Sequence, residues 1–164
     1  GGPGVGSNAT EVFGGPGDDE IHGNDGRANK AWGEAGNDTI YGYGALDKIY
    51  GGDGDDYLDG GSGTDFIFGG PGDDTILGGT GKDKILEGGP GNDIIDGGPT
   101  IEDDRAKFSG STDDYTICEF PDGTLVVTDN RGIDGTDTVT NVNRLIFSNG
   151  MVNPGNHCQA VDLF

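Results

Sequence analysis

The feature that most constrains this chain is a nine-residue period. From Gly14 it reads GGPGDDEIH, then after an interruption GEAGNDTIY from Gly33, GYGALDKIY from Gly42 and GGDGDDYLD from Gly51. It continues as GGSGTDFIF from Gly60, GGPGDDTIL from Gly69, GGTGKDKIL from Gly78 and, after one extra residue (Glu87), GGPGNDIID from Gly88. A ten-residue degenerate unit fills 23–32, a weaker one fits 5–13, and the GGP at Gly97 starts a line left incomplete. Self-similarity at a fixed short period is the signature of a solenoid, in which each unit buries its apolar face only against its neighbours.

Each line follows G-G-x-G-x-D-x-U-x, where U is large and aliphatic. Glycines permit positive φ and tight turns that aim backbone carbonyls at a common point. The sixth-position aspartate is a hard oxygen donor, suited to Ca²⁺ rather than to zinc or copper. The last three residues read as a short strand whose middle side chain points inward. This predicts an inward column of Ile21, Ala31, Ile40, Ile49, Leu58, Ile67, Ile76, Ile85 and Ile95. Such a column suits a parallel sheet interior.

Composition agrees. The chain has 36 Gly and 7 Pro in 164 residues and a formal net charge of −21. That composition without a period would indicate disorder, and the charge repels itself in any compact state. Bound divalent cations are the expected source of the missing folding free energy. The acidity argues against nucleic acid and anionic membranes as partners. No apolar run approaches the length of a membrane span. The chain starts on Gly rather than Met, as expected of a processed form or a fragment.

The repeat resembles the RTX (repeats-in-toxin) family of bacterial exported proteins over roughly residues 5–99. Six of the lines carry both glycines and the aspartate at all the family positions. The resemblance implies an all-β chain, a right-handed parallel β-roll with two lines per turn over residues 1–99. Ca²⁺ would sit between the loops of alternate lines. One implied row of ligands is Asp19, Asp38, Asp56, Asp74 and Asp93. The other is Asp47, Asp65 and Asp83, with Asn29 a poor substitute. Carbonyls of the second and fourth glycines would complete the shells: Gly15, Gly17, Gly36, Gly52, Gly54, Gly61, Gly63, Gly70, Gly72, Gly79, Gly81, Gly89 and Gly91. About six ions are expected, eight if the degenerate ends contribute. Line 42–50, with Tyr43 and Ala45 at glycine positions, and line 23–32, without the aspartate, depart from the pattern.

Outward positions are expected to make the two sheets different. One would carry a ladder of Phe13, Trp32, Tyr50, Phe68 and Leu86 beside a column of Glu11, Lys30, Lys48, Phe66 and Lys84. Neighbouring strands lie about 4.8 Å apart, so the ladder would be continuous. Two readings stand: an interface, or same-face pairs that reinforce the sheet. An interface would take a second copy of this acidic chain, as a homo-polymer, or an acidic polysaccharide. The glycine-rich start and the tail are expected to be held by neighbouring copies in a head-to-tail polymer.

Residues 100–164 are expected to form a small antiparallel β cap and tail. Tyr115–Phe120 and Thr124–Asp129 alternate around the turn Pro121-Asp122-Gly123, and 141–147 reads as another strand. This part resembles the β-rich segment that follows RTX repeats in many exported proteins. The final Ala-Val-Asp-Leu-Phe is similar to the ends of type I export signals. For Asp129, Asp134 and Asp137, an extra Ca²⁺ site and a solvated acidic turn both stand. Cys118 and Cys158 are equally open between a disulfide and two buried thiols. Catalytic motifs are lacking: the histidines are His22 and His157, with no zinc H-E-x-x-H and no G-x-S-x-G elbow. The expectation is a secreted, non-catalytic calcium-binding structural protein that acts outside the cell, in assembly or adhesion at the cell surface. The alternative is the calcium-dependent C-terminal module of a larger exported protease, lipase, toxin or polysaccharide-modifying enzyme.

Overall fold

The computed structural model describes residues 11–100 and 103–152. In chain order the strands of the repeat region are β1 (Glu11–Pro16), β2 (Glu20–His22), β3 (Lys30–Ala35), β4 (Thr39–Tyr41), β5 (Gly44–Ala45), β6 (Lys48–Asp53), β7 (Tyr57–Asp59), β8 (Ser62–Gly63), β9 (Phe66–Phe68), β10 (Thr75–Leu77), β11 (Thr80–Gly81), β12 (Ile85–Glu87) and β13 (Ile94–Asp96). The C-terminal region adds β14 (Arg105–Lys107), β15 (Tyr115–Glu119), β16 (Leu125–Asp129), β17 (Thr136–Thr140), β18 (Arg144–Phe147) and β19 (Gly150–Val152). A single 3-10 turn at Thr112–Asp114 precedes β15.

The strands alternate between two eight-stranded sheets, ordered β1-β3-β6-β9-β12-β14-β18-β19 and β15-β16-β17-β13-β10-β7-β4-β2. Within the repeats every pairing is parallel. Two successive lines therefore make one turn, and each strand pairs with the strand two lines on. This is the expected β-roll, a parallel solenoid. The short strands β5, β8 and β11 pair along one loop edge.

Each strand sends its middle residue inward. Val12, Ala31, Ile49 and Ile67 line one sheet, and Ile21, Ile40, Leu58, Ile76 and Ile95 line the other, all buried. One expectation fails here. Leu86, not Ile85, pairs with Ile67 and is fully buried. The extra residue of this line enters just after Asp83, because Lys84 still bonds the Asp65 carbonyl while Ile85 stands opposite Phe66. A one-residue insertion of this kind bulges the strand and flips the side chains that follow it. Leu86 thus leaves the outer ladder, and Glu87 takes its place beside Phe68, 2.7 Å from Lys107 Nζ.

The C-terminal region extends the roll as well as capping it. The line begun at Gly97 is completed: β14 pairs parallel with β12, β18 with β14, and β17 with β13. Only then do the antiparallel pairs β17–β16, β16–β15 and β18–β19 follow. Ala106, Val139 and Leu145 continue the inward columns at full burial. Phe108, Tyr115 and Phe147 form an aromatic cluster, with centroids 5.2–5.5 Å apart. The antiparallel strands cover the end of the solenoid, whose open edge would otherwise invite pairing with another chain. No described helix is long and apolar enough to cross a membrane. Cys118 lies on β15; Cys158 falls outside the described residues, and so does the question of their pairing.

Candidate metal centre

The sixth-position aspartates form two buried files along the loop edges. In the first, the backbone N–H of Asp19 donates to Asp38 Oδ1 at 2.8 Å, Asp38 to Asp56 at 2.7 Å, Asp56 to Asp74 at 2.9 Å and Asp74 to Asp93 at 2.9 Å. In the second, Asp47 donates to Asp65 Oδ1 at 2.8 Å and Asp65 to Asp83 at 2.9 Å. All the predicted aspartates beyond Asp19 are at most 3% exposed.

Beyond Asp19, one oxygen of each carboxylate is thus used within the file, that of Asp47 by the Asn29 N–H. The other, Oδ2 of Asp19, Asp38, Asp47, Asp56, Asp65, Asp74 and Asp93, is buried with no hydrogen-bond partner among the described residues. A buried ionised oxygen without a partner is strongly unfavourable unless a cation meets it. These oxygens are grouped with carbonyls. A methyl group on Gly51 would lie 2.1 Å from Asp56 Oδ2 and 2.7 Å from the carbonyl oxygen of Gly69, one turn on. The same pairing of carboxylate and next-turn carbonyl recurs at Gly33, Gly42, Gly60, Gly69 and Gly78.

Every predicted second- and fourth-position glycine has positive φ, from +89° at Gly61 to +156° at Gly91. At Gly54 the need for glycine is also steric, since a Cβ would stand 2.2 Å from the Gly36 carbonyl oxygen of the preceding turn. The degenerate lines keep the conformation without the residue: Glu34, Tyr43 and Ala45 hold φ of +83°, +73° and +88°. Their backbones are strained, and the repeat geometry imposes that strain.

No three His, Cys, Asp or Glu side chains converge on one point among the described residues. A cation here would take carboxylates from successive turns and the rest of its shell from carbonyls. An all-oxygen, carbonyl-rich set fits Ca²⁺. Burial pushes the carboxyls of Asp47 and Asp56 up to about 6, those of Asp65 and Asp93 to about 7, and that of Asp74 to about 8. Neighbouring carboxylates of the file add to this for Asp56, Asp65 and Asp74, those of Asp73 and Asp134 add to it for Asp93, and the accepted N–H opposes it. A bound divalent cation reverses that balance by favouring the ionised form.

Asn29 stands in the second file as expected, and its amide does the work of a cation. Its Nδ2 donates to Asp47 Oδ1 at 2.8 Å, to the Arg27 carbonyl at 2.8 Å and to the Gly42 carbonyl at 3.3 Å. Two members of the files were not expected. Asp83 donates its N–H to Asp104 Oδ1 at 2.8 Å, and Asp93 donates to Asp137 Oδ1 at 2.9 Å. Asp104 in turn donates to Asn143 Oδ1 at 3.0 Å. The signal for Asp137 was present, as D-x-V-x after a glycine, but without neighbouring lines it grouped the residue with Asp129 and Asp134, as an extra site or a solvated turn, and not with a file.

Asp129 and Asp134 form neither an extra site nor a solvated turn. Both are buried. Asp129 accepts from the Arg131 guanidinium and from the N–H groups of Arg131, Ile133 and Asp134. Arg131 foremost holds its carboxyl well below the usual carboxylate range. Asp134 accepts from the Tyr115 and Ser109 hydroxyls. This cluster is internally satisfied.

Outside the files, Phe13, Trp32, Tyr50 and Phe68 stack face to face, with centroids 4.6, 5.5 and 5.0 Å apart and planes within 7°. The neighbouring lysines are partly neutralised. Lys30 pairs with Glu11 at 3.0 Å, and Lys48 lies over the Phe66 ring at 5.6 Å.

No curated protein matches the chain. A family model for the RTX calcium-binding nonapeptide repeat (four copies) matches residues 6–27, 25–58, 32–67, 50–85 and 68–99. Those matches run together from 6 to 99, more than half of the chain. With the buried carboxylates from Asp19 to Asp93 and from Asp47 to Asp83 lying on the matched lines, the protein belongs to the RTX calcium-binding nonapeptide repeat family.

Proposed function

We propose that this chain is a secreted, non-catalytic structural protein whose roll folds on calcium outside the cell and then assembles with further copies of itself. The calcium requirement supports the location: calcium sites of extracellular modules work at about 10⁻⁴–10⁻³ M, a level that the exterior supplies. The observation that carries the assembly reading is the stack of Phe13, Trp32, Tyr50 and Phe68. The rings cover one another's faces, so the stripe offers mainly ring edges to a partner. Sugar rings stack on open aromatic faces, and here the one open at the end is that of Phe13, 54% exposed. A second sheet face is therefore favoured over an acidic polysaccharide, and the pairing of Lys30 with Glu11 weakens the polysaccharide further.

Light scattering and electron microscopy of the calcium-loaded protein test this. Filaments or sheets that dissolve when Trp32 and Phe68 are replaced by Ser support it. A monodisperse monomer at high concentration overturns it. The second reading, a calcium-dependent folding and export module of a larger enzyme or toxin, is favoured by the likeness of residues 103–150 to segments that follow such repeats. A catalytic domain encoded upstream would establish it.

A further inference from the structure

Residues 132–140 read Gly-Ile-Asp-Gly-Thr-Asp-Thr-Val-Thr, a line of the repeat that lacks only its second glycine. They lie beyond the matched repeats, separated from line 88–96 by residues 97–131. The fold nevertheless seats them on that line as its next turn. Gly135 has φ +77°, and a Cβ on it would stand 2.0 Å from the Gly91 carbonyl, as one on Gly91 would stand 1.9 Å from that of Gly72. The Gly91 N–H donates to the Asp134 carbonyl, just as that of Gly72 donates to Pro90. Thr136 donates its N–H to Asn92 Oδ1 at 3.1 Å, continuing an exposed fifth-position file in which Asn92 donates to Asp73 and Asp73 to Asp55. Val139 stands beside Ile95 in the core. In the other file, the line that begins at Gly97 reaches Asp104 after a longer loop. The Gly97 carbonyl and Asp83 Oδ2 lie 2.9 and 2.4 Å from the position of a Cβ on Gly78, the arrangement found between repeat lines.

We propose that Asp137 with Asp93, and Asp104 with Asp83, each complete one further calcium site, so that calcium fastens the C-terminal segment onto the roll. This rests on the calcium reading of the repeat files. The independent observation is Asp93 Oδ2, 1% exposed at the residue level and without a hydrogen-bond partner. It occupies the file position at which Asp74 Oδ2 and the next-turn carbonyl of Gly88 converge, 2.1 and 2.6 Å from the position of a Cβ on Gly69. Hydrogen bonding alone would not require a carboxylate at Asp137. Asn143 accepts the N–H of Asp104 with an amide, and Asn29 folds in the same file.

Asp137→Asn and Asp104→Asn are therefore near-isosteric tests in the full chain. Calcium stoichiometry is read by native mass spectrometry and calorimetry, and fastening by amide hydrogen exchange over 115–140. The wild type should bind eight ions, against six for the repeat files alone. Each variant should bind one fewer, and Asp137→Asn should exchange faster over 115–140 at calcium levels that protect the repeats. The exposed control Asp73→Asn should match the wild type. Six ions in the wild type, or variants with undiminished stoichiometry, overturn the proposal. A wild type that binds only six ions overturns it even if a variant does not fold. A wild type that binds no calcium would instead sink the reading on which the proposal rests.

Discussion

Removing calcium should unfold this chain, and the steepness of its return is the sharper test. The repeat lines alone present six carboxylate-to-carboxylate steps, four from Asp19 to Asp93 and two from Asp47 to Asp83. At free calcium tenfold above the dissociation constant, one site stabilises the folded state by about 1.4 kcal/mol, so six contribute about 8 kcal/mol. A domain of this kind has about 5–15 kcal/mol of stability in all. The calcium-free roll also keeps a −21 charge and a core only one side chain deep per strand. Near saturation every tenfold rise in calcium adds roughly 8 kcal/mol again. Moving a two-state equilibrium from 1:99 to 99:1 needs about 5.5 kcal/mol, so the folding transition should be complete within about one decade of free calcium. Far-ultraviolet circular dichroism follows the sheets. Fluorescence of Trp32, the single tryptophan, follows the stack between Phe13 and Tyr50. A β-sheet spectrum with a cooperative melt in excess chelator would refute the reasoning. So would a titration spread over several decades, which would mean that the sites fill independently of folding.

The pH response should reverse sign with calcium. In the calcium-free fold, Asp47, Asp56, Asp65, Asp74 and Asp93 hold their protons above the ordinary 3.8, up to about 8 for Asp74, so stability present below about pH 4 is lost as pH rises toward 8. Calcium needs these groups ionised, so the loaded protein should lose stability on acidification, while acidifying the protein in chelator should bring sheet structure back; far-ultraviolet circular dichroism that moves the same way with pH in both states would contradict the assignment. Leu86→Ala should destabilise the loaded roll by about 2–5 kcal/mol, and Ile85→Ala by about 1 kcal/mol or less; equal losses in denaturant titrations would mean the bulge lies elsewhere. Asn29→Asp should add one calcium ion by replacing the amide that now meets Asp47 Oδ1 and the Gly42 carbonyl. An unchanged ion count by native mass spectrometry would show that this step cannot hold a cation.

What the sequence made legible was whatever the period repeats. Asp38, Asp56 and Asp65 could be placed because each stands at the same offset in its line as its neighbours, and the positive φ of the paired glycines follows from the same register. The slip at Lys84 was hidden, because one surplus residue fits the pattern before or after the strand. Which place it takes depends on whether Ile85 or Leu86 fills the interior and on where Glu87 finds Lys107. Asp104 and Asp137 were hidden for another reason. Their lines are interrupted by a longer loop and by the hairpin of β15 and β16, so their membership is a tertiary fact. The internal closure of Asp129 and Asp134 by Arg131, Tyr115 and Ser109 depends in the same way on residues distant in sequence.

The two files end differently, and the difference explains how such a charged roll can stop. A file of carboxylates can end only where the last oxygen is met by something other than another carboxylate. The second file is closed by amides at both ends. Asn29 donates to Asp47 as a cation would, and Asn143 accepts from Asp104 without adding charge. The first file ends at Asp137, buried on β17, whose antiparallel neighbour β16 places Val127 opposite it. Asp129 and Asp134 lie close enough to raise the carboxyl of Asp137 further, though burial is the main cause. The guanidinium of Arg131 sits between those two groups, 2.9 Å from Asp129 and 3.7 Å from Asp134. It offsets their charge within the protein, so the turn beyond Asp137 needs no cation of its own. The C-terminal region therefore terminates the calcium files electrostatically as well as covering the open sheet edge.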